Sequence, residues 1–260
     1  MNEKNEERFT GLADTYDGSR PHCPPYAREA VARYLGRRPE LVVDLGCGTG
    51  LSTMAWAKDA GRVVGVEPNG DMIRVARGKA AGNVEFRQEL ANATGLAEGC
   101  ADAVTCSQSF HWMEPESTLA EVDRILKKGG VFAVYDCDWP PVCGFRAELA
   151  YKKLFDAVKR LEEEFPDPGV RWDKERHLER IAASGYFRYA RELVFANTER
   201  FTAARLVAVA ASRSNLRRLL KMAPDRMLPR WEEYGRTVKE IFGTGEFSAD
   251  FCYRMRIGVK

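Results

Sequence analysis

The residues best placed to do chemistry are Val42-Val43-Asp44-Leu45-Gly46-Cys47-Gly48-Thr49-Gly50, with Glu67 closing the next apolar run. Alternating glycines let a turn close tightly and bring a ligand against bare backbone. A carboxylate at the end of a second strand can accept both hydroxyls of a ribose. A glycine turn alone says little, but this one follows an apolar run, opens a helix and has a ribose acceptor. Two details narrow the ligand. A turn built for a dinucleotide pyrophosphate wants a further glycine where Leu51 stands. Asp44, just ahead of the first glycine, puts a carboxylate where an ammonium group suits better than a phosphate. The pattern therefore favours S-adenosylmethionine, whose amino-acid moiety replaces the phosphates, over NAD(P).

Other candidates lie on the same expected rim. His111 follows the fourth apolar run; with an ordinary pKa of about 6.5 it suits a general base, or it lines the pocket. Trp112 could stack on adenine or shield a sulfonium. Tyr135, Asp136, Asp138 and Trp139 follow the fifth run on the same rim, where one of them is expected to touch substrate, with Tyr135, Asp138 and Trp139 as the candidates. Cys47 is read as chosen for its size, not as a nucleophile. Arg205, Arg213, Arg217, Arg218 and Lys221 share a stretch read as a solvated helix face.

These residues need elements to hold them. Short apolar runs at Leu41–Val43, Arg62–Val66, Val84–Phe86, Ala103–Cys106 and Val131–Tyr135 alternate with helical stretches at Leu51–Ala60, Asp71–Arg77 and Ser117–Leu126, the last expected to be capped by Ser117. That alternation predicts βαβ units and a parallel sheet covered on both faces. Beyond residue 145 it fades. Helices are expected at 151–165, 172–184, 202–222 and 229–242, with strands at 189–196 and 251–259. Ahead of the sheet, a helical pattern over Phe9–Tyr16 is broken by Pro21, Pro24 and Pro25 and resumes at Tyr26.

Composition excludes several classes. With 40 Lys+Arg against 38 Asp+Glu, the net charge of +2 is not that of a strongly basic nucleic-acid binder. At 45% hydrophobic and 30% charged, 260 residues can bury a full core, and disorder is ruled out. No apolar run approaches the roughly 18 residues of a membrane span, and the polar start reads as no signal or transit peptide. The seven cysteines lack CxxC spacing and the three histidines lie far apart in sequence, so no metal site is expected and reduced thiols in a cytoplasmic protein fit best.

On these motifs the chain resembles the class I S-adenosylmethionine-dependent methyltransferases, over roughly residues 9–138. Asp44–Gly50 is similar to the first motif of that family. Val66-Glu67-Pro68-Asn69-Gly70-Asp71-Met72 is similar to the second, which implies that Glu67, Pro68 and Met72 contact the cofactor. Ser107-Gln108-Ser109-Phe110-His111-Trp112 resembles the fourth-strand motif of a narrower branch of trans-aconitate methyltransferase-like proteins. Arg20-Pro21-His22-Cys23-Pro24 resembles that branch's Arg-Pro-x-Tyr-Pro, with Cys23 in place of tyrosine. The resemblance implies a cofactor set of Tyr16, Arg20, Asp44, Gly46, Cys47, Gly48, Gly50, Glu67, Pro68, Met72, Asn92, Ser107, Gln108 and Trp112. Within it, Arg20 pairs with the cofactor carboxylate, and Asn92 stands where the family carries an acidic adenine reader. The fold it implies is a three-layer Rossmann-like sheet of seven strands, the last antiparallel. A helical lid over 1–36, a cofactor-binding core over 37–138 and cap inserts at 140–170 and 200–245 complete the single domain. A small-molecule acceptor is expected, with no nucleic-acid or membrane partner, as a monomer or homodimer. The rivals are a non-catalytic module binding the same cofactor and an NAD(P)-dependent oxidoreductase.

Overall fold

The computed structural model describes residues 18, 20–167 and 169–260. Seven strands form one sheet in the order β3-β2-β1-β4-β5-β7-β6. Strands β1 (Leu41–Leu45), β2 (Arg62–Val66), β3 (Val84–Arg87), β4 (Ala101–Ser107) and β5 (Leu126–Cys137) are mutually parallel. Strand β7 (Glu246–Val259) runs antiparallel to β5 on one side and to the edge strand β6 (Tyr189–Thr202) on the other. The central strands are apolar and buried along nearly their whole length, as a sheet covered on both faces requires.

Five helices pack beside this sheet: α1 (Pro25–Leu35), α2 (Leu51–Ala55), α3 (Gly70–Arg77), α4 (Pro115–Ile125) and α6 (His177–Ala183). Helix α5 (Phe145–Glu164) packs against α8 (Ser214–Met222) and α9 (Pro224–Phe242), and α7 (Ala203–Ala211) joins them to form a cap. One core cluster holds Val42, Trp56, Ala133 and Tyr135 with the cap's Leu216, Met227 and Val238; the other holds Leu45, Val104, Phe132 and Ile181 on the opposite face. Among the described residues, no helix is long and apolar enough to cross a membrane.

Several boundaries depart from expectation, each for a local reason. Helix α4 starts at Pro115, a residue pre-set for a first helical turn, and its cap is Glu114, whose carboxylate accepts from the amides of Glu116 and Ser117, so Ser117 is not the cap. The stretch expected as one helix from 202 to 222 is two. Ser212 turns its hydroxyl back onto the Val209 carbonyl at 2.7 Å, and Arg213 is extended. The helix expected from Trp172 begins only at His177, because Asp173 accepts from the Glu175 amide and the Trp172 amide donates to the His111 carbonyl at 2.8 Å. Strand β6 runs on to Thr202 because it lies at the sheet edge, where Thr198 and Arg200 can face outward without interrupting the ladder.

Candidate active site

The cofactor turn is assembled from the inside out. Asp44 is fully buried, and its carboxylate accepts hydroxyls from Ser52 (2.6 Å), Thr53 (2.7 Å) and Thr105 (2.9 Å). Burial pushes its carboxyl up, against those three donors. This differs from its expected role: Asp44 does not line the cavity but ties β1 to α2 and β4. Gly46 has φ +65°, and a Cβ there would lie 2.6 Å from Ser109 Cβ, so only glycine closes this bend. At Gly48, with φ +56°, a Cβ would meet nothing within 4 Å; its bare backbone faces open space. The Gly48 amide donates to Glu67 Oε2 at 3.0 Å and the Asn69 amide to Oε1 at 2.9 Å, which fixes the carboxylate at the cavity wall. Burial and the neighbouring Glu67 and Asp44 charges push the Cys47 thiol well up, so it is no nucleophile.

A single cavity runs from this turn to the cap. Gly46, Cys47, Gly48, Glu67, Met72, Ser107, Gln108, His111, Trp112 and Trp139 all line it, as does Arg20. Arg20 reaches Gln108 Oε1 and Ser212 Oγ, each at 3.4 Å, with its guanidinium 5.8 Å from the Trp139 ring. Gln108 holds a left-handed backbone (φ 55°), a strained state for a residue with a side chain and one that clusters at functional sites. Gly50, Pro68 and Asn92 support the wall from outside it. Gly50 starts α2, the Pro68 carbonyl accepts from Gln88, and the Asn92 amide donates to Ser117 Oγ at 3.2 Å. Tyr16 lies outside the described residues.

Two expected substrate contacts are corrected. Tyr135 is a core side chain with no exposure, its hydroxyl 3.2 Å from Cys23 Sγ, because its position in β5 faces the packed layer. Asp138 pairs with Arg254 at 3.3 Å away from the cavity wall, its side chain about half exposed (49%).

The far wall was largely missed. Arg171, Lys174 and the turn Ser212–Asn215 line it. Arg213, read as part of a solvated face, lies 5.2 Å from the Trp139 ring and 5.0 Å from that of Phe155, and donates to Tyr151 Oη at 3.3 Å. The polar run Ser-Arg-Ser-Asn inside an otherwise amphipathic stretch was the available signal.

Behind His111 lies a buried charge array. His111 Nδ1 is 3.5 Å from Asp136 Oδ1, and Lys174 Nζ sits on that same oxygen at 2.5 Å. His177 Nε2 and Arg256 Nη1 approach Asp136 Oδ2 at 3.9 and 3.8 Å. Two of the three histidines that lie far apart in sequence are thus gathered: ligand atoms of His111, Asp136 and His177 lie within 4.8 Å of one another. The cation seated on that carboxylate is the Lys174 ammonium. Burial, then the Lys174 charge, lowers His111 to about 3; burial lowers His177 to about 4 against the pull of Asp136. Burial alone would raise Asp136, but Lys174 and His111 hold it well below the usual carboxylate range.

Comparison with known proteins agrees with this layout. Residues 43–134 match the Methyltransf_11 family model, described as a methyltransferase domain. An uncharacterized methyltransferase of Mycobacterium bovis is 33% identical over 122 residues, 47% of this chain and 49% of that protein. The chain spans about half the length of the curated relatives it matches. A proposed type II methyltransferase from Anaeromyxobacter dehalogenans shares the fold with a TM-score of 0.70 at 20% identity, over 92% of this chain and 97% of that one. Phosphoethanolamine N-methyltransferase 2 of Haemonchus contortus, solved with phosphomonomethylethanolamine and S-adenosylhomocysteine, gives a TM-score of 0.55 at 15% identity, over 98% of this chain and 59% of that one. Residues 43–134 are thus similar to a methyltransferase domain, and the sheet that holds them shares its fold with the Anaeromyxobacter dehalogenans protein.

Proposed function

We propose that the protein transfers a methyl group from S-adenosylmethionine to a small-molecule acceptor held beneath the helical cap. The observation that carries this reading is the continuity of one cavity from the Gly46–Gly48 backbone and Glu67 to His111, Trp139 and Arg213. The residues present fit the cofactor. Glu67, oriented by two backbone amides, presents a carboxylate on the cavity wall of the kind that accepts a ribose diol, and the turn offers bare backbone beside it. Met72 supplies an apolar surface and Arg20 a cation for a carboxylate. Bound there, the cofactor supplies a methyl group on a positively charged sulfur.

The chain's own contribution is alignment and exclusion of water. Holding two reactants in line is worth about 7–11 kcal/mol of barrier. Trp112, Trp139 and the Ser212–Asn215 turn all line the cavity, with the Arg213 guanidinium 5.2 Å from the Trp139 ring. The near-neutral charge and the cap turn over the cavity favour a small acceptor over nucleic acid. The similarity of Ser107–Trp112 and Arg20–Pro24 to the trans-aconitate methyltransferase-like branch supports placing the chain near it.

Turnover of S-adenosylmethionine to S-adenosylhomocysteine against a metabolite panel tests the reading. Product formation with at least one small acceptor is expected. Tight cofactor binding with no turnover across the panel would point to a regulatory module. Calorimetry showing no uptake of either compound would overturn the assignment.

A further inference from the structure

Lys174 and Asp136 belong to no motif, yet they stand directly behind the one imidazole on the cavity wall. Asp136, near the end of β5, is buried, and its carboxylate carbon chain leaves both oxygens turned toward charged or protic groups. His111 is 4% exposed and lines the cavity, while its Nδ1 is buried 3.5 Å from Asp136 Oδ1, with no hydrogen-bond partner of its own. A carboxylate as the facing acceptor favours a proton on Nδ1 over one on Nε2. The Trp172 amide bonded to the His111 carbonyl holds the lysine-bearing loop against the same turn.

We propose that Asp136 and Lys174 are positioning residues that hold His111 as a neutral, Nδ1-protonated imidazole presenting its Nε2 lone pair to an acceptor that carries a proton on its reacting atom. This deepens the methyl-transfer reading and rests on it. The substrate class it names is a protic nucleophile, such as a hydroxyl or a thiol. That atom passes its proton to Nε2 as its lone pair forms the bond to the methyl carbon. The sulfur keeps the electron pair of the bond that breaks, and the imidazolium then gives its proton to water.

Lys174 sets the state of this pair. Its ammonium shares the Asp136 oxygen that faces His111, and it too lines the cavity. With the carboxylate already paired, a second positive charge on the imidazole gains little, so the ring stays unprotonated. The surrounding charges act in the same sense: Arg171 approaches from the Lys174 loop and repels a proton on His111. His177 from α6 and Arg256 from β7 face the other Asp136 oxygen, while Glu192 of β6 takes Arg256 Nε at 2.8 Å.

Nitrogen-15 NMR of histidine-labelled full-length protein tests this without any acceptor, with the His111 signals assigned by loss in His111→Asn. The expected result is a neutral ring with its proton on Nδ1 from pH 7 down to pH 5. In Lys174→Met, which removes the competing cation and keeps the stem, His111 should bind protons at least tenfold more tightly. A wild-type ring charged at pH 7, a proton on Nε2, or an unmoved titration in Lys174→Met would overturn the proposal. Should Lys174→Met fail to fold, the wild-type tautomer and titration still decide. The two readings fail separately: absent turnover with this signature intact sinks methyl transfer, and turnover without the signature sinks the proton path.

Discussion

The two walls of the cavity are built on opposite principles. The wall around Gly46–Gly48 is made of contiguous backbone and a carboxylate fixed by two amides, with Asp44 locking the turn from behind. The wall around His111 carries Arg171 and Lys174 from the loop before α6 and Ser212–Asn215 from the turn between α7 and α8, backed from behind by Asp136 of β5, His177 of α6 and Arg256 of β7. A backbone cradle recognises what is common to every cofactor molecule. A wall of side chains from distant segments can change one residue at a time, which is how one sheet serves many acceptors.

The contrast can be broken most severely at Asp44. Asp44→Ala strands three buried hydroxyls and should cost about 3 kcal/mol of stability, at ~1 kcal/mol for each bond lost. A melting temperature within about 2 °C of wild type would show that the turn is not locked from within. Next comes Glu67→Ala, which removes the ribose acceptor and also the acceptor of the Gly48 and Asn69 amides. It should weaken S-adenosylhomocysteine about 100-fold by calorimetry, as expected for the loss of two charge-assisted hydrogen bonds at roughly 1.5 kcal/mol each.

The charged wall has a pH signature of its own. His111 and His177 have folded pKa values near 3 and 4, below the unfolded value of 6.5, so the unfolded chain binds more protons as pH falls beneath 6.5. Stability is therefore full above that value and declines on acidification. The expected loss is about 2 kcal/mol between pH 7 and 5.5 for the two rings together. Denaturant midpoints at both pH values measure it, and His111→Asn should remove about half of the slope. The smallest effect should come from Arg213→Ala, which alters only the acceptor wall. Its S-adenosylhomocysteine affinity should stay within about threefold, or ~0.6 kcal/mol, of wild type. A larger loss would mean that the two walls are not separable.

The same division explains what the sequence could reveal. Asp44–Gly50 and Glu67 were legible because strand, turn and helix follow one another along the chain, so spacing alone carries the geometry. The alternation of strands and helices gave the parallel sheet for the same reason. Lys174 and the Ser212–Asn215 turn were hidden because their place depends on where the cap lies over the sheet, a long-range fact with no local period. Tyr135 and Asp138 show the converse error. Tyr135 stands next to Asp136 near the end of β5, where successive residues point to opposite faces and only the register decides which one meets the site. Asp138, by contrast, lies past the strand and pairs with Arg254. Asp44 failed in another way: its neighbours Ser52 and Thr53 sit one helical turn beyond the glycines and claim its carboxylate first.

Strands β6 and β7 pair continuously from Tyr189↔Val259 to Thr202↔Glu246. Their last rung places the two ends of the 203–245 segment side by side, so the entropy of bringing those ends together is met by the ladder and not by the segment itself. Additional length would then cost only about 0.6 kcal/mol per doubling. The roof over the reaction chamber is in effect the loop of a long hairpin, and it can be exchanged, shortened or enlarged while the sheet beneath keeps its register.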